Sequence, residues 1–124
     1  MSNNRPKFLA LHQIRLPLPG LISILHRASG ALMFLVLPVL LWMLQYSLRS
    51  IETYTELVDD MRHPFSKLFL LVVLWAFLHH FCAGIRCLAI DMDVGVKLAQ
   101  ARASSKWVLA VSLALTVLIG VRLW

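Results

Sequence analysis

The chain has 124 residues, 60% of them hydrophobic and only 15% charged, with a mean hydropathy of +0.77 and a net charge of +6. A water-soluble domain carries about 45–50% apolar and about 25% charged residues, so this composition excludes one. It predicts a single integral membrane domain over 1–124, all-α in fold class. The basic residues flank apolar blocks, where they anchor helices against membrane lipid. No aromatic–basic interleaving marks a path for a nucleic-acid strand, so no nucleic-acid partner is expected.

In chain order, the opening Met-Ser-Asn-Asn-Arg-Pro-Lys is too polar to start a signal peptide and lacks the Ser/Arg richness of a transit peptide. Insertion by its own helices into a bacterial cytoplasmic membrane is the expectation. Pro17-Leu-Pro19-Gly20 closes the N-terminal arm, and a first helix is predicted over 21–47, uncharged from Ala31 to Leu48. Pro38 lies inside it, which membrane helices tolerate. The loop that follows sets Arg49 and Arg62 against Glu52, Glu56, Asp59 and Asp60, read as solvated. After His63-Pro64 a second helix is predicted over 65–90, uncharged between Leu68 and Ile85, and a third over 107–124 with Arg122 and Trp124 as interfacial anchors. Cys82 and Cys87, five apart, read as small packing residues and not as a disulfide or metal pair. His12 and His63 read as loop or interface residues, and the tryptophans as core or interfacial aromatics.

Orientation follows from the loops. The arm carries Arg5, Lys7, Arg15 and Arg27 without acids, and the second loop carries Arg86, Lys97, Arg102 and Lys106 against Asp91 and Asp93. The positive-inside rule places both in the cytoplasm, with the N-terminus inside and the C-terminus outside.

Two polar clusters interrupt the apolar pattern. Ser23, His26, Arg27 and Gly30 fall at i, i+3, i+4 and i+7, one stripe of a helix offering donors to a ligand carbonyl or carboxylate. The plain alternative for His26-Arg27 is positive-inside anchoring. In the second helix, His79-His80 lies two turns short of the cytoplasmic face, where imidazoles need a partner. His80 has small residues at i−4, i+4 and i+7 (Ala76, Gly84, Cys87), a shallow groove in which a flat macrocycle fits with His80 as axial ligand to iron. Hydrogen bonding of both histidines to neighbouring helices is the competing reading. His79 shares its side with Ala83, Arg86 and Ile90. His80 lies roughly 8 Å below the level of Arg86 at about 1.5 Å per residue, and His26 is read as too shallow to ligate the same iron. It is placed instead to meet haem propionates, with Arg27 to pair with them.

Arg5-Pro6, then Ser23-x-x-His26-Arg27-x-Ser29-Gly30, then His80-x-x-x-Gly84-Ile85-Arg86 and Asp91 resemble the signature of the cytochrome b556 membrane-anchor subunits of bacterial succinate dehydrogenase, respiratory complex II. The resemblance covers nearly the whole chain, its length and its three spans included. It implies a haem-binding helical bundle completed by a second anchor subunit, with His80 as axial ligand of haem b and the opposite ligand on that companion. It implies that Ser23 and Arg27 line a ubiquinone pocket, that His26 and Arg27 approach the propionates, and that Asp91 takes part in proton uptake. It also implies a flavoprotein and an iron–sulfur subunit as partners, the chain itself being a non-catalytic subunit that helps pass electrons to ubiquinone. Members often carry His after the Gly-x-Arg arginine, where this chain has Cys87. The alternatives are a fumarate reductase anchor working in reverse, or a three-span pore or scaffold protein without haem.

Overall fold

A computed structural model describes residues 16–123, and every element among them is helical: α1 (Leu18–Ser47), α2 (Ile51–Met61), α3 (Pro64–Asp91) and α4 (Leu98–Leu123). Arg5, Pro6, Lys7, His12, Arg15 and Trp124, all used in the sequence reading, lie outside the described residues. Helices α1, α3 and α4 are each long and apolar enough to cross a membrane, as expected.

The ends of these helices follow local chemistry. Helix α1 starts three residues before the predicted Leu21, because Pro19 in its first turn is pre-organised for a helix and loses no needed N–H. Pro64 opens α3 in the same way, immediately after His63. The larger correction concerns α4, which begins at Leu98 and not at 107. Hydropathy marks where the apolar stretch begins, but Leu98, Ala99, Gln100, Ala101 and Arg102 are strong helix formers that carry the helix beyond it. The reversal between α3 and α4 uses Asp93 (φ 60°) and Gly95 (φ 79°), both left-handed, which glycine adopts freely and aspartate tolerates.

The acidic first loop is itself a helix. Ser50 caps α2 by accepting from the Thr53 backbone, while the Thr53 hydroxyl accepts from the Ser50 N–H. The Ser50 hydroxyl also holds the Glu52 carboxyl below its usual range. Tyr46 donates to Glu56 at 2.6 Å, tying α2 to the end of α1.

Helix α3 is central, packed between α1 and α4, which also touch each other. Ile22, Ala83 and Val108, one from each helix, meet in the interior, and only three further hydrophobic residues among those described (Val36, Ala76 and Leu78) are buried. Packing relies instead on close approach over small residues, as lipid-embedded helices require. A Cβ at Gly120 would stand 2.9 Å from Leu71 Cδ2. Ser105 and Ser112 are fully buried on the inner face of α4, each hydroxyl donating to a carbonyl of its own helix.

Candidate functional site

The polar groups converge where α1 crosses α3. The His26 carbonyl oxygen lies 3.0 Å from His80 Nδ1 and accepts from the Ser29 hydroxyl at 2.9 Å. Ser29 Oγ itself is 3.4 Å from the same Nδ1. The His26 and His80 rings meet with centroids 4.2 Å apart and planes inclined by 31°. Two glycines make room for this crossing. His80 lies against Gly30, where a Cβ would stand 2.8 Å from Cε1, and His26 lies over Gly84, whose Cβ would be 3.8 Å from Nε2. The two contacts set an antiparallel register in which each turn up α1 meets a turn back along α3. By that register Ser23 stands level with Cys87, and Asp91, exposed at the end of α3, lies one turn beyond them.

A carbonyl only accepts, so the 3.0 Å contact puts the proton of neutral His80 on Nδ1 and leaves a lone pair on Nε2. His80 is half-buried, and its Nε2 has no hydrogen-bond partner among the described residues and is not enclosed. His79 is the opposite case. It is fully buried against Trp75 (centroids 5.2 Å), and among the described residues neither ring nitrogen has a partner or a route to the surface. Of the adjacent pair, His80 alone presents a nitrogen to an external ligand.

Several sequence readings need correction. The stripe Ser23–His26–Arg27–Gly30 divides. His26 and Gly30 pack on α3, whereas Arg27 lies on the exposed flank of α1 with its guanidinium 3.5 Å from the Ser23 hydroxyl. The groove drawn beside His80 is also smaller than read. Ala76 is fully buried with His79 and Ala83, in a sector of α3 centred about 70° from His80. Gly84 is covered by His26. The His26 backbone is a turn nearer the bundle end than His80, but its ring reaches back into contact, and among the described residues its buried Nε2 has no partner. Arg86 points to the other side, donating to Ser104 Oγ at 2.9 Å and to the Ala101 carbonyl at 3.4 Å, and so fastens α3 to α4. Ser29 figured in the sequence only as a motif position. Its position three residues after His26 is what brings its hydroxyl back to that carbonyl.

An apolar cavity of about 600 Å³ opens between α1 and α3 toward the opposite end of the bundle, lined by Met33, Leu40, Val73 and Phe77 and bounded by Met61 and Leu123. No titratable side chain lines it. Cys82 and Cys87 are free thiols. Among the described residues no three His, Cys, Asp or Glu side chains converge on one point, so a bare ion finds no complete ligand set in them.

Comparison with known proteins then places the chain. The model of a family described as succinate dehydrogenase/fumarate reductase transmembrane subunit matches residues 1–119. The chain belongs to this family. It is 34% identical over 125 residues to the succinate dehydrogenase cytochrome b556 subunit of Coxiella burnetii, with the whole of each chain covered. To the subunit of the same name from Paracoccus denitrificans it is 30% identical over 115 residues, covering 93% of this chain and 88% of the relative. The Rickettsia felis subunit is 29% identical over 119 residues, 96% of this chain and 93% of the relative. Family membership and three apolar helices make this a multi-pass membrane subunit of a succinate dehydrogenase, and set aside the pore or scaffold reading.

Proposed function

We propose that this subunit anchors a succinate:quinone oxidoreductase in a bacterial cytoplasmic membrane, holds haem b through His80, and helps to form the site where ubiquinone receives electrons. The observation that carries this reading is the commitment of His80 Nδ1 to the His26 carbonyl, with Nε2 left bare. Histidines that ligate metals are commonly held this way, the second nitrogen fixing tautomer and ring orientation. His80 would hold the iron together with a histidine of a companion anchor subunit. His26, whose Nε2 has no partner among the described residues, and the Arg27 guanidinium would meet the propionates. Haem b, when bound, supplies a one-electron relay within the membrane.

Succinate is oxidised on a peripheral flavoprotein, and electrons cross an iron–sulfur subunit docked on the cytoplasmic side, where the arm and the basic second loop lie. Ser23 and Arg27, already within 3.5 Å of each other, receive the quinone. Their donors stabilise the quinone oxygens as negative charge develops. Reduction to the quinol takes up two protons as well as two electrons. Asp91, exposed one turn beyond Ser23, is the group that passes protons in from the cytoplasm. All the relatives compared above are succinate dehydrogenase subunits, which favours succinate oxidation over the reverse reaction.

The test is a dithionite-reduced minus oxidised spectrum of the assembled complex. The wild type shows a b-type band, and His80→Ala loses or shifts it. A His80→Ala complex with an unaltered band removes His80 as ligand.

A further inference from the structure

We infer that Ser29 is a positioning residue that sets how strongly His80 donates to iron, acting through the carbonyl oxygen that the two side chains share. This rests on His80 as the haem ligand and goes beyond it. Inside α1 the His26 carbonyl is the ordinary acceptor for the Gly30 N–H four residues on. The Ser29 hydroxyl reaches it at 2.9 Å and His80 Nδ1–H at 3.0 Å, so three donors meet one oxygen that has two lone pairs. Ser29 is only 4% exposed, so its hydroxyl has no water to turn to. Its Oγ sits 3.4 Å from Nδ1, too far for a full bond of its own and close enough to hold the ring edge in register.

The competition has a direction. A hydrogen bond from Nδ1 to a good acceptor makes the imidazole more basic and a better donor to ferric iron, which lowers the reduction potential. The Ser29 hydroxyl draws on the same oxygen and weakens that acceptor. Ser29 therefore holds the potential of the haem above the value His80 alone would give. The Ser112 hydroxyl also turns back to a carbonyl of its own helix, that of Leu109, but among the described residues no second side chain shares that oxygen. It has nothing comparable to tune.

The experiment is a spectroelectrochemical titration of the b-type band in the assembled complex, with Ser29→Ala, Ser29→Thr and Ser112→Ala beside the wild type. Ser29→Ala should keep its haem and move the midpoint to lower potential. Ser29→Thr, which retains a hydroxyl able to reach back to the carbonyl three or four residues earlier, and Ser112→Ala should stay at the wild-type midpoint. A haem-free Ser29→Ala complex beside a haem-loaded Ser29→Thr complex also supports the inference, since the hydroxyl is then what steadies the ring. An unchanged midpoint in loaded Ser29→Ala, an equal shift in Ser29→Thr, or loss of haem from both overturns it. His80→Ala is titrated alongside: if it keeps the band, the ligand assignment has failed, a result distinct from a null Ser29 effect on an intact ligand.

Discussion

Replacing Gly30 by alanine strikes the packing on which the His80 crossing depends. The new Cβ would stand 2.8 Å from His80 Cε1 and 3.2 Å from Nδ1, where carbon atoms in comfortable contact sit about 3.5–4.0 Å apart. The ring must withdraw by roughly an ångström to restore that spacing. It cannot do so without lengthening its 3.0 Å bond to the His26 carbonyl. Overpacking of this kind costs about 1–3 kcal/mol, and a lost hydrogen bond adds about 0.5–1.5 kcal/mol. Alanine's better helix propensity returns at most about 1 kcal/mol. The net expectation is a loss of about 1–3 kcal/mol, concentrated on the imidazole. Gly84→Ala is the internal control: its Cβ would meet His26 Nε2 at 3.8 Å, an ordinary contact, with the same propensity gain. Both variants are assayed in the complete complex by thermal melting in mild detergent and by haem content from the difference spectrum. Gly30→Ala should melt lower and carry less haem, and Gly84→Ala should match or exceed the wild type on both counts. Equal behaviour of the two variants would refute the interlocked geometry.

Arg27→Ala should abolish most quinone reductase activity while succinate oxidation with an artificial acceptor persists, and Arg27→Lys should restore only part, because an ammonium cannot reproduce the guanidinium's planar fork. Parallel loss of both activities in an assembled complex would count against a quinone role. His79→Phe should leave the haem band in place and the melting temperature unchanged or raised, since it removes two buried nitrogens that lack partners among the described residues and keeps a ring against Trp75. Disappearance of the band in that variant alone would transfer the ligand role to His79.

The three long helices were legible because each contains an apolar run long enough to satisfy the bilayer, and nothing else in the sequence competes with that signal. Helix α2 was not. Its eleven residues carry four acids, and its cap pairs Ser50 with Thr53 where a Glu or Gln would have been recognised. Hydropathy also misplaced the start of α4, since it reports the apolar stretch and is blind to a helix that continues past it. At the site, periodicity placed Ser23, His26, Arg27 and Gly30 on one side of α1, which is correct to within a third of a turn. That margin is wide enough to hold two faces, one against α3 and one outside. What periodicity cannot supply is register between helices. Nothing in the spacing of either motif says that Gly30 lies under His80, or that a backbone oxygen is the meeting point.

Only six hydrophobic residues are buried among those described, and Phe34, Leu35 and Phe65 stand more than two-thirds exposed. Each helix keeps its own backbone hydrogen bonds whether or not its neighbours are present, as hydrocarbon demands. Loss of the native arrangement in this chain is thus a drifting apart of intact rods, with little change in helical circular dichroism. Its cohesion is held at a few points, chiefly the imidazole-over-glycine crossing and the Arg86 fastening to α4.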